Sequence, residues 1–132
     1  MGARGTGPPG ALERHRFASL VASLREDPTF VSKPMFGCVG CYVGGRLVLL
    51  LADRREPWQG LLLPTEREVH ASLLEDFPDL RIHPVLPKWL YLPHGGGFAA
   101  TAPRIVRRIA AGDERFGVEP SHGRMPRWRF AR

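Results

Sequence analysis

Two adjacent glycines, Gly44-Gly45, constrain what this chain can fold into more than any other feature. Before them stands Cys38 to Val43, rich in β-branched and aromatic residues, and after them Arg46 to Ala52, an almost unbroken apolar run. A two-residue loop with positive φ at both positions has the twist that joins antiparallel strands, so the segment reads as a hairpin. Thr29 to Phe36 is β-rich as well, giving two or three strands in a meander. Asp53 to Trp58 reads as a charged loop and Gln59 to Leu63 as a further short strand.

Helical periods flank this β region. Phe17, Leu20, Val21 and Leu24 recur at helical spacing between polar residues, which predicts an amphipathic helix over 11–25, stopped by Asp27-Pro28. Thr65 and Glu68 have capping-box spacing, and Val69, Leu73, Leu74 and Phe77 then share one face, predicting a second helix closed by Pro78. Leu80 to Val85 and Lys88 to Leu92 alternate well enough for two more strands, and Pro84 and Pro87 assign them to sheet edges. A third helix is expected from about Pro103 to Ala111, with Ile105, Val106 and Ile109 inward. The expected fold class is therefore α+β: an antiparallel sheet with a helix before, a helix between and a helix after the strands. Residues 1–10, with four glycines and two prolines, read as a disordered lead, 11–112 as one domain and 113–132 as a basic aromatic tail.

At 132 residues and 43 % hydrophobic content the chain is long enough to bury a core without metal or disulfide staples. The longest apolar stretch, Leu47 to Ala52, is far short of the roughly 18 residues of a membrane span, and no secretory pattern opens the sequence. A cytoplasmic protein without a membrane partner is expected. Its net charge is +6, and 17 of its 19 cationic side chains are arginine. Arginine offers a planar fork to phosphate or carboxylate, although GC-rich genomes favour it and surface charge also serves solubility. Four of the six net charges sit in the tail as Arg124, Arg127, Arg129 and Arg132, with Trp128 and Phe130 between them.

Cys38 and Cys41 form a C-x-x-C in a strand context rather than at a helix start. No second pair and no H-x₃₋₅-H completes a zinc set among the five histidines. Residues three apart on a regular strand point to opposite faces, so the sulfurs diverge unless Gly40 forms a bulge. Small packing residues, a redox pair, and a metal site shared across a dimer are the readings this leaves. Gly95-Gly96-Gly97 before a helix is the kind of segment that cradles phosphate, yet no Lys-Ser pair follows and the segment reads as a linker. His83 and His94, beside prolines, have no partnered nucleophile in view and read as surface or hydrogen-bonded core histidines. Arg104, Arg107 and Arg108 share one helix face, where the like-charged Arg104–Arg108 pair costs a few tenths of a kcal/mol. Together with Arg124, Arg127, Trp128 and Arg129 they form a candidate nucleic-acid or anion site. The alternatives are a solvated face and a tail that covers an apolar patch.

Lys33-Pro34-Met35-Phe36-Gly37, followed by Cys41-Tyr42-Val43-Gly44-Gly45-Arg46-Leu47, resembles the signature of the TfoX (Sxy) N-terminal domain family, where Met-Phe-Gly precedes a "Tyr-Val-x-Gly" hairpin. The related MmcQ/YjbR-like domains share the element order. The resemblance implies a secretion-chaperone-like α+β domain with a curved antiparallel sheet, helices on one side, and frequent dimerisation. Within it, Met35, Phe36 and Gly37 are a fold motif: Phe36 for the core, Gly37 for a backbone position with unusual φ or no room for a side chain. The family's name-giving members regulate competence for DNA uptake and carry a second domain. The 21 residues after Ala111 leave no room for it here, so a stand-alone bacterial domain is expected. The functional expectation is a non-enzymatic partner-binding or regulatory protein without cofactor or metal, engaging a protein partner and open to homodimerisation. Nucleic-acid binding through the arginines and tail, and redox or metal chemistry at Cys38 and Cys41, are the alternatives.

Overall fold

Gly44 and Gly45 take φ of 60° and 79° and turn strand β2 (Cys38–Val43) back onto β3 (Arg46–Asp53), as the sequence predicts. In the computed structural model, which describes residues 10–119, this hairpin is the centre of a six-stranded sheet. The other strands are β1 (Val31–Met35), β4 (Gln59–Leu63), β5 (Arg81–Ile82) and β6 (Leu90–Pro93). Every pairing is antiparallel and the order is β1-β2-β3-β4-β6-β5. With helices α1 (Ala11–Arg14), α2 (His70–Asp76) and α3 (Phe98–Ala110) the molecule has the expected α+β fold.

The strands are apolar on both faces, and the two faces are finished differently. One carries the larger core, in which Val39, Leu49, Leu51, Leu61, Leu63, Leu90 and Leu92 meet Leu12, Val21, Leu73, Ile105 and Val106 from the helical segments. The other buries Cys38, Leu47, Leu50, Ala52, Leu62 and Tyr91 beneath half-buried Met35, Phe36, Tyr42, Trp58 and Trp89. Among the described residues no helical side chain joins this second cluster. Alternation along the strands separates the two sets, and a bulge in the hairpin shifts it once: Cys41 pairs with Leu49 but Tyr42 with Leu47, so the extra residue Val48 falls in the same set as Leu49.

Several local expectations change. The predicted first helix is broken into α1 and two 3₁₀ turns, Ala18–Val21 and Leu24–Glu26, because His15 is extended and its Nδ1 accepts the Phe17 N–H at 3.0 Å. The break sets Phe17 against Phe98 and His94, at ring distances of 5.0 and 5.2 Å. Thr65 is no cap: its buried hydroxyl donates to the Lys88 carbonyl at 2.8 Å, and the helical turn opens at Arg67 without a side-chain cap. Strand β6 is interior, paired along its length with β4, and only the two-residue β5 is an edge on that side. Helix α3 starts five residues early, at Phe98, and holds Pro103 inside it.

The packed chain also runs past residue 112, correcting the expected domain boundary. Phe116 is buried in the main core and Val118 bridges to Leu47. Arg46 Nη2 donates to the Phe116 and Gly117 carbonyls at 3.1 and 2.7 Å, and Arg115 pairs with Asp113 and with Asp76 of α2. No described helix is long and apolar enough to cross a membrane.

Candidate functional site

Between β5 and β6 the sequence His83-Pro84-Val85-Leu86-Pro87-Lys88 holds two prolines, which cannot donate to a strand ladder, so the chain leaves the sheet as a loop. His83, fully buried, organises it. Its Nδ1 accepts the N–H groups of Val85 and Leu86 at 3.1 and 3.0 Å, which places the ring proton on Nε2, and Nε2 donates to the Pro57 carbonyl at 2.8 Å. The ring lies 4.6 Å from that of Trp58 and 5.3 Å from that of Tyr91. One histidine thus closes the 83–89 loop and fastens it to the 54–58 loop, over the second face of the sheet. Burial holds its pKa below the ordinary histidine value, the Pro57 bond and Glu56 opposing.

Beneath the loops, the Tyr91 hydroxyl accepts the Gln59 N–H at 3.1 Å and sends its proton between the Glu56 carboxylate, at 2.9 Å, and the Gln59 carbonyl, at 2.8 Å. Burial pushes this phenol up to about 12, so it acts as a positioning donor and not as a base. On the sheet's other flank, Phe36 and Gly37 form a second two-residue turn, joining β1 to β2 with φ of 55° and 76°. A positive φ is unfavourable for an aromatic residue, and here it turns the ring toward Trp89, 6.3 Å away. The Arg54 guanidinium lies where a Gly37 Cβ would stand. The Met35-Phe36-Gly37 segment thus makes the β1–β2 turn, with Phe36 on the second cluster rather than in the helix-side core.

Cations neighbour these aromatic residues along the chain and across the sheet. Arg54 and Arg55 come from one loop and Lys88 from the other; Arg81 is opposite Tyr91 on β5, and the Lys33 ammonium lies 5.4 Å from the Tyr42 ring centre. Glu56 is turned to Tyr91, and Lys88 meets Glu66 at 3.2 Å in an exposed pair. Residues 10–119 as a whole carry fourteen cationic and thirteen anionic side chains, so this grouping is local polarisation of a nearly neutral body.

The candidates drawn from the sequence land elsewhere. Cys38 and Cys41, free and buried, belong to clusters on opposite faces of the sheet, because the bulge lies beyond Cys41 and not at Gly40. Burial pushes their thiols up to about 11 and about 12. Among the described residues no three His, Cys, Asp or Glu side chains are grouped to hold a metal ion. Arg104 and Arg108 both lie over the Phe77 ring, at 5.0 and 5.2 Å, and Arg108 also pairs with Asp76 and Asp113. Of the helix trio, Arg107 is left exposed with no ion pair among the described residues. At Gly95-Gly96-Gly97, Asp79 packs against Gly97 and accepts the Thr101 hydroxyl at 2.7 Å, so a carboxylate stands beside the glycine segment. Arg124, Arg127, Trp128 and Arg129 lie outside the described residues.

Reading the sequence missed the two pinned loops. A signal was present: Arg54-Arg55-Glu56-Pro57-Trp58 and Pro87-Lys88-Trp89 each place a cation, a proline and an indole within a few residues. No family model, no curated protein and no solved structure matches this chain.

Proposed function

We propose that this chain is a non-catalytic binding domain of the TfoX N-terminal type, which engages a macromolecular partner through the second face of its sheet. The observation that carries the reading is the uneven finish of the two faces: helices close one, while half-buried Met35, Phe36, Tyr42, Trp58 and Trp89 cover the other. The states of His83, Tyr91, Cys38 and Cys41 support it, since these four are engaged or insulated. Both nitrogens of His83 are used, the Tyr91 hydroxyl is fully partnered, and both thiols are held far above neutral pH by burial. On this reading the protein works in the cytoplasm as a regulatory module, and sedimentation of the full chain reads the dimerisation that the resemblance implies.

A photo-crosslinking benzophenone residue placed at Trp89, compared with one at exposed Ala99 on α3, tests the choice of face in cells. Adducts from position 89 well above those from position 99 are expected. Equal yields, or adducts from position 99 alone, would sink the reading. Nucleic-acid binding through α3 and the tail is the second reading, and Arg107 is the described helix residue that remains to serve it.

A further inference from the structure

We propose that the second sheet face is covered by this chain's own C-terminal segment, residues 120–132, with Pro126, Trp128 and Phe130 set against Met35, Phe36, Tyr42, Trp58 and Trp89. The proposal rests on the preceding reading of this face and deepens it: the segment is the resident occupant that a partner displaces. Its first basis is the apolar patch. Val31, 47 % exposed, stands opposite Tyr42 in the β1–β2 ladder and so shares its face, extending the half-buried set of the second cluster to the edge of the sheet. Among the described residues no helical side chain joins this set, whereas α3 and the 3₁₀ turns close the opposite face.

The second basis is where the described chain ends. Leu47 belongs to the second cluster, and its backbone exchanges hydrogen bonds of 2.9 and 3.1 Å with Val118 along the edge that β2 leaves free. The Gly117 N–H donates to the Pro64 carbonyl at 2.9 Å, so Val118 continues the line of β4, and Arg46 clamps the exit through the Phe116 and Gly117 carbonyls. The bridge is antiparallel, so the chain leaves toward the Gly44-Gly45 end and must reverse to lie along the sheet. Thirteen residues follow Glu119. With Ser121, His122 and Gly123 used in a reversal, the seven from Arg124 to Phe130 extend over about 23 Å, close to the length of β3.

The sequence of the segment decides which of its sides meets the sheet. Successive side chains alternate in an extended run, so Pro126, Trp128 and Phe130 share one side and Arg127 and Arg129 the other. The apolar side then lies on the patch while the two guanidinium groups face water. Residues 1–9, the other segment outside the described chain, hold no aromatic residue to serve instead. A tethered segment is present at an effective concentration on the order of millimolar, so a modest contact keeps it in place and still yields to a partner.

The test places a benzophenone residue at position 128 of the full chain, irradiates the purified protein at low concentration and maps the adducts by mass spectrometry. Adducts within one chain, to peptides carrying Phe36, Tyr42, Trp58 or Trp89, are expected. Adducts to α3, or none, overturn the proposal, and adducts that join two chains overturn it by assigning the face to a second copy. In cells, Trp128→Ser/Phe130→Ser combined with the benzophenone at position 89 is expected to raise partner adducts about threefold or more over the unaltered segment. An unchanged or lower yield overturns the displacement. Partner adducts from position 89 without intrachain adducts from position 128 overturn the cover and leave the binding face intact. No partner adducts from position 89 with either segment removes the reading beneath the proposal, and the competition with it.

Discussion

His83 shows how one side chain fixes a site. Replacing it with alanine strands the Val85 and Leu86 N–H groups and the Pro57 carbonyl, at a cost of roughly 2 to 3 kcal/mol. The same residue sets a pH dependence. An unfolded histidine takes its proton near pH 6.5, whereas His83, and His15 with it, take theirs lower because burial disfavours the charged ring. The unfolded state therefore gains protons first, so stability is complete above about pH 6.5 and declines as the pH drops through the folded values. The carboxylates of Asp76 and Asp113, lowered by Arg115, add a separate loss at more acidic pH, below about 4. Urea unfolding at pH 7.5 and 5.0 checks this, and His83→Ala should show a smaller difference between the two than the unmodified chain. At the motif turn, Gly37→Ala meets both a φ of 76° and the Arg54 guanidinium. A loss of about 1 to 2 kcal/mol in the same assay is expected.

Elements were legible where the local code and the tertiary fold agree. Gly44-Gly45 has one inexpensive way to turn, and the apolar run after it has one place to go, so β2 and β3 emerge from the sequence alone. The apolar period of Phe17, Val21 and Leu24 does mark buried residues, yet Val21 and Leu24 lie in 3₁₀ turns and Phe17 stands just ahead of the first of them. What breaks the helix is His15 taking the Phe17 N–H, a side-chain bond that periodicity does not register. Helix α3 extends beyond its sequence signal for the opposite reason, since proline favours a first turn and yet stands sixth here. Pro103 lacks the N–H that would close on Ala99, so Pro103→Ala should raise stability by about 1 to 3 kcal/mol, seen as an increase in Tm. A fall in Tm would mean that the half-buried ring contributes more through packing than it loses in hydrogen bonding.

At the scale of the whole molecule, the sheet separates chemistry that the sequence places side by side. Cys38 and Cys41 are neighbours in a motif and lie on opposite faces of β2, each thiol held above the working range. The folded chain should therefore leave both unreactive toward a disulfide reagent at pH 8, with two thiols titrating after denaturation; rapid native reaction of either would contradict their burial. The converse happens at the second face, where Pro57 and His83, 26 residues apart, meet, as do Trp58 and His83. By itself the sequence determined the α+β class, the central hairpin and which side chains are apolar enough to bury, because turn geometry and strand alternation are short-range properties. Only the tertiary structure decided which face each strand side chain joins, that Arg104 and Arg108 serve the core edge, and that two distant loops meet over the second face. Those outcomes depend on a single-residue bulge and on hydrogen bonds between distant segments, and neither leaves a periodic trace along the chain.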